Sequence, residues 1–414
     1  MMEQSLSLDK SVESTLCTYG TGSTDFSQLK RKFCSILLLI LSTDLCAETE
    51  YDQTITNANY SISQGSIFLN EDITYTYNYN RLRYQGNWNN GNYFATVTGD
   101  MVNYLSDDYV NSRSFNVSLL ESDTPFKTQT NQHNYSDGVV FAKIYRLYAG
   151  YQNEHDRMVI GLQNITMGVG RIWNPTNLFN PRNAYLLEPD EVFGVSAISY
   201  TRHINEASQV TAVISQKKDN SFKYALRYKA FIEFADIAVD LFSSNNTSMI
   251  GFEIEGNLAD TGIELRSEGA YLKSLLATNL SQQEEKDFYQ ITIGADYGFK
   301  NGISLTLETH YSSDTFEFND ILLNKESEII PNLVFSNLYA GATLTYSFNI
   351  FLDGSLVYIE SFNTHNSRFI SPTLTYTLND YNKFVVGGMI QYGQEGSEFG
   401  ILDNTYYFKW GIEY

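Results

Sequence analysis

Five histidines, His133, His155, His203, His310 and His365, are the first residues to test for chemistry, because a hydrolase built on strands needs an imidazole beside a carboxylate and a hydroxyl. Only His310 sits in a clear strand pattern, "ISLTLETHYSS" (303–313), where Glu308 and Ser312 flank it on the same face. Steps of two along one strand separate side chains by about 7 Å, beyond hydrogen-bond reach, so catalysis would need a partner from a neighbouring strand. No GxSxG, HExxH, phosphate-loop or CxxCH pattern occurs. His310 therefore reads as a lumen histidine satisfied by its neighbours, and the protein as no enzyme. All three cysteines (Cys17, Cys34, Cys46) precede residue 48, leaving no disulfide or thiolate ligand beyond it. Neither metal nor cofactor is expected.

The remaining chemistry is charge. In "FKYALRYKAFI" (222–232), Lys223, Arg227 and Lys229 share one face and Phe222, Tyr224, Leu226 and Tyr228 the other. Later segments place Glu264, Arg266, Glu268, Asp296 and Glu308 on a polar face as a mixed field. Such side chains, turned into a water-filled lumen, would line a pore and orient polar solutes; the alternative is that they pair with one another and merely tolerate water. The net charge of −21 falls only to −20 when the four basic and five acidic residues before residue 48 are removed. Nucleic acid is excluded as a partner, since it needs a basic footprint. The acidity implies a mild preference for cations.

These residues are positioned by strands. The chain ends "YYFKWGIEY", with Tyr406, Phe408, Trp410, Ile412 and Tyr414 on alternate positions against Tyr407, Lys409, Gly411 and Glu413. Period-two alternation marks a strand with one apolar and one polar face. It recurs in "FYQITIGADYGFK" (288–300) and "LYAGATLTYSF" (338–348). Tight turns such as "NNG" (89–91), "ADTG" (259–262) and "NDYN" (379–382) alternate with generally longer links near 106–137, 170–192, 273–285, 314–335 and 394–403. Short turns on one rim, longer loops on the other and aromatics capping the apolar faces describe a transmembrane antiparallel up-and-down β-barrel of the outer membrane. Sixteen clear strands from residue 92, a seventeenth at 73–88 and "YSISQGSIFLN" (60–70) give eighteen; sixteen is the alternative, because 236–258 is weakly patterned. After residue 48 no apolar run approaches 18 residues, so no transmembrane helix is expected there.

Lys30, Arg31 and Lys32 before the apolar run 33–41, with Ala47 after it, are laid out as a secretory signal peptide over 30–47. Residues 1–29 read as an extension from a misplaced start, with Leu29 at the true initiation point. Residues 48–59 would be a short lead-in and 60–414 the barrel.

The segment "GVGRIWNPTNLFNPRNAYLLEPDE" (168–191) holds three of the six prolines. A proline-stiffened, partly apolar loop is expected to fold into the mouth, making Arg171, Trp173, Asn174, Pro175, Phe179 and Pro181 constriction residues. Here the chain resembles porin-like bacterial outer-membrane β-barrels that carry a pattern W-G-x-G-x-x-x-N-P-x-D-x-F-x-P. Gly168, Gly170, Asn174, Pro175, Phe179 and Pro181 match; Met167 stands in place of the tryptophan and Asn177 in place of the aspartate. The resemblance implies an outer-membrane location and transport. The terminal strand is similar to the assembly signal of such barrels, with Tyr414 where phenylalanine is usual, which implies the outer-membrane assembly machinery as a partner. The sequence thus points to a porin-like channel for passive diffusion of small solutes. A barrel that sheathes a periplasmic efflux or electron-transfer component is the second reading, and an outer-membrane hydrolase the third. Oligomeric state is left open.

Overall fold

The computed structural model describes residues 49–66, 72–118, 122–181, 186–279, 281–362, 366–394, 396–400 and 403–414. The expected signal peptide, the N-terminal extension and His365 lie outside them. The strands are β1 Thr49–Gly65, β2 Thr74–Asn90, β3 Tyr93–Leu105, β4 His133–Tyr135, β5 Gly138–Gln152, β6 Asp156–Gln163, β7 Val195–Asn205, β8 Ser208–Gln216, β9 Phe222–Ile232 and β10 Ala235–Ser243. They continue as β11 Thr247–Asn257, β12 Ile263–Asn279, β13 Gln282–Gly298, β14 Ile303–Ser312, β15 Leu338–Asn349, β16 Leu352–Ser361, β17 Ser367–Asn379, β18 Asn382–Tyr392 and β19 Thr405–Glu413. Each pairs antiparallel with its neighbours, and β1 pairs with both β2 and β19, so the sheet closes. β4 is a short strand laid against β5, while β3 pairs directly with β5. The wall therefore has eighteen staves.

Closure gives every stave a paired neighbour on each side, which a bilayer demands because lipid offers backbone groups no partner. The alternation then sorts side chains between lipid and lumen. On β19, Tyr406, Phe408 and Trp410 are 52%, 46% and 42% exposed on the outside, and Lys409 turns inward. On β9, Tyr224, Leu226 and Tyr228 face out while Lys223 is buried inside. The result is an apolar outer belt on a β-barrel of the outer-membrane type.

Two expectations change. The first strand begins at Thr49, with Thr49 opposite Asn90, and so takes in residues 49–59. Those residues are mostly Thr, Asn, Gln and acids, so hydrophobic periodicity is nearly silent there. Second, aromatics are not confined to the lipid face: Tyr60, Tyr75, Tyr77 and Tyr79 are buried inside. Two short helices, α1 Asp107–Val110 and α2 Arg113–Ser118, cover them, with Tyr109 stacked on Tyr77 at 3.8 Å and Phe115 edge-on to Tyr109.

One rim carries short turns and the other the long connections 106–132, 164–194 and 313–337. β6 has only eight residues, so above Leu147 it leaves the edge of β5 without a stave. β4 and a bridge between Gln129 and Lys143 take that edge instead. The chain after β6 is free to turn inward.

Candidate functional site

The segment after Gln163 enters the lumen and is held there by main-chain amides. Gly168 has φ of +90°, a conformation that favours glycine, and a Cβ on Gly170 would lie 1.8 Å from the Trp173 carbonyl oxygen. With both positions free of side chains, the backbone curls so that successive N–H groups point at the wall. Gly168 N donates to Glu253 Oε1 at 2.6 Å. Val169 N and Gly170 N donate to Glu268 Oε2 at 2.5 and 2.8 Å. Arg171 N donates to Glu308 Oε1, and Ile172 N to Glu308 Oε2, both at 2.6 Å. Glu253, Glu268 and Glu308 come from β11, β12 and β14 and are buried. Buried carboxylates are tolerable only when donors surround them, and the loop supplies those donors.

The motif's departures have local explanations. Asn177 donates through Nδ2 to Asn180 O at 2.8 Å, and Asn180 Oδ1 accepts from Ile165 N at 2.6 Å. An amide thus ties the next turn where the pattern has an acid. Met167 is buried in an apolar cluster with Phe179, Phe242, Leu272 and Phe288, filling the place of the larger tryptophan.

Of the expected constriction residues, Trp173 lies over His310 (5.6 Å between ring centroids, 20° apart) and beside Tyr339, and Phe179 meets Phe242 edge-on. Pro175 O accepts from Asn332 Nδ2 at 3.1 Å. That contact belongs to the 313–337 connection, which also buries Phe316, Ile329 and Leu333 beside Phe179. So two long connections pack together inside the barrel, whereas the sequence singled out one. Asn174 lies against Gly168 and Pro181 is half-buried at the loop's turn.

Arg171 spans the acidic field, reaching Glu255 (3.1 Å), Glu264 (3.0 Å) and Asp296 (3.5 Å). Arg266 pairs with Asp296 and with Glu308 at 3.1 Å. Lys223, Arg227 and Lys229 all face inward, yet each is paired: Lys223 with Asp123, Arg227 with Glu253 and Asp240, Lys229 with Asp236. They do not stand as an open basic ladder. His310 bonds through Nδ1 to Thr292 Oγ1 at 3.0 Å, while its Nε2 has no hydrogen-bond partner among the described residues. Glu308 is occupied by loop amides and Ser312 donates to Asp314 O, so the three residues form no relay.

A second charged constellation was missed. Arg81 and Arg83 of β2, Lys143 and Arg146 of β5 and Lys409 of β19 line the opposite wall, half a turn of the barrel from β11–β14. They receive the acidic end of the same loop. Arg81 holds Glu188 through two hydrogen bonds of 2.7 and 3.0 Å, and Arg83 holds Glu191 through two of 3.0 and 2.8 Å. Arg83 also grips Asp100 at 2.7 Å, and Lys409 lies 3.6 Å from Glu188. Burial opposes the charge of Glu191, but hydrogen bonds from Arg83 and the charges of Arg81 and Arg83 outweigh it and hold its carboxyl at about 2. The alternation of "TYTYNYNRLRYQ" (74–85) does put Arg81 and Arg83 on one face. They share it with Tyr75, Tyr77 and Tyr79, which disguised a lumen face as a lipid face.

No family model and no curated protein matches this chain. Solved structures do match in fold. OccAB1 of Acinetobacter baumannii superposes with a TM-score of 0.56 at 12% identity over 88% of this chain and 96% of that one. A BenF-like porin from Pseudomonas fluorescens Pf-5 gives 0.56 at 9% identity, covering 88% and 98%. The outer membrane protein opdK of Pseudomonas aeruginosa gives 0.56 at 8%, with the same coverage. At these identities the likeness establishes a shared barrel fold.

Proposed function

We propose that the protein is a porin-like channel for passive diffusion of small solutes across the outer membrane, narrowed by the 168–191 loop and weakly cation-preferring. The observation that carries this reading is the loop's position inside the barrel, fixed to an acidic wall at one end and a basic wall at the other. A constriction between walls of opposite sign orients polar solutes as they pass. Similarity in fold to structures named as porins supports the same reading. The lumen ion pairs nearly cancel, so the cation preference comes from the acidic balance of the whole chain. The C-terminal strand, with its exposed aromatics, is the segment offered to the outer-membrane assembly machinery.

Purified protein in a planar bilayer tests the proposal. A channel conducts alone, with a reversal potential across a salt gradient on the cation side. Silence until a periplasmic partner is added would favour the sheath instead, and anion selectivity would remove the charge argument.

A further inference from the structure

The lipid-facing side of β1, β2, β3 and β5 carries a dent that the channel reading does not use. Ile55, Leu82, Tyr84, Met101 and Ile144 wall a groove of about 550 Å³, and Gly99 lies on its floor. Tyr84 and Ile144 are the register partners of Gly99, so all three share the outer face. A Cβ on Gly99 would meet nothing nearer than the Lys143 carbonyl oxygen at 3.9 Å. The floor is therefore open, and the pairing between β3 and β5 shifts register there, between Thr98 and Gly99, which bends the wall.

The groove ends against residues 127–130, which run beside β5 where β6 is missing. Lys127 is exposed at that end and in no ion pair among the described residues. An exposed cation beside an apolar trough on the lipid side of the barrel matches the chemistry of an anionic lipid. We propose that this groove binds one acyl chain of an anionic lipid whose phosphate pairs with Lys127. Gly99 then forms the floor of a lipid site, and the loop that patches the wall also supplies the headgroup contact.

Native mass spectrometry of the full chain, titrated separately with phosphatidylglycerol and phosphatidylcholine, tests this. One phosphatidylglycerol should be retained roughly tenfold more tightly than phosphatidylcholine. Gly99→Leu, which fills the floor, should weaken both about tenfold, whereas Lys127→Gln should remove only the difference between them. Equal retention of the two lipids by the wild type, or phosphatidylglycerol binding unmoved by Gly99→Leu, would overturn the proposal. Should Gly99→Leu lose the gel-mobility shift of a folded barrel, Ile144→Trp narrows the groove from its wall and carries the same expectation and the same contrary result.

Discussion

The two ends of the inward loop are docked by opposite chemistry. Residues 168–173 present main-chain N–H groups to carboxylates of the wall. Residues 188 and 191 present carboxylates to arginines of the wall. The first mode depends on backbone shape and hardly on which side chains the loop carries, so glycine is its requirement. The second depends on side-chain charge and tolerates any backbone that reaches. One end is a geometric fit and the other an electrostatic one, which is why they should fail under different perturbations.

Breaking the geometric end gives the largest effect. In Gly170→Ala the new Cβ would sit 1.8 Å from a main-chain oxygen that cannot rotate away, so the docked turn is lost at a cost on the order of 5 kcal/mol. Single-channel recordings should show a larger, noisier conductance with the barrel intact by gel mobility. Glu268→Leu comes next. It strands the amides of Val169 and Gly170, at about 2–5 kcal/mol, and should lower the thermal midpoint while raising hydrogen exchange at 168–176.

Breaking the electrostatic end is milder. Arg83→Gln removes two bonds to Glu191 and leaves Asp100, among the described residues, with Lys143 at 3.7 Å as its cation, at about 2–3 kcal/mol. It should shift the reversal potential further toward cations. The pH response separates the ends as well. Because the Glu191 pKa is depressed to about 2, its docking contribution is fully present above about 4.5 and is lost as pH falls through 2. In Arg83→Gln that loss should already be complete nearer pH 4.5, read as exchange at 186–192 between pH 6 and 3, and an unshifted profile would contradict the assignment. Smallest is Asn177→Asp, which restores the acid of the resembling motif but loses the donor to Asn180 O, for about 1 kcal/mol. A gain in stability would show that the amide is not the tie described.

Much of the wall was legible before any coordinates. Alternation is a local property, so β9, β13 and β19 declare their two faces residue by residue, and the inward placement of Lys223, Arg266, Asp296, Glu308 and His310 follows from parity alone. Legibility failed where parity carried no contrast. β1 is polar on both faces over residues 49–59, and β2 is aromatic on the face that turned out to be the lumen. The loop's entry into the barrel was readable from its prolines and its motif. Its contacts were not, because Glu253, Glu268 and Glu308 lie some 85 to 137 residues away in sequence.

What the sequence determined by itself is therefore the repeat: which residues share a face, that such staves recur along the chain, and that a belt of aromatics meets lipid. Those depend only on a two-residue period and on turn chemistry. The closed sheet decided the rest. It set Arg81 and Arg83 opposite the glutamates of β11–β14 and let the loop's bare amides satisfy three buried carboxylates. It also packed the 313–337 connection against the inward loop. Pairings across a lumen depend on stave order and register around the whole ring, and no local pattern encodes the distance across it.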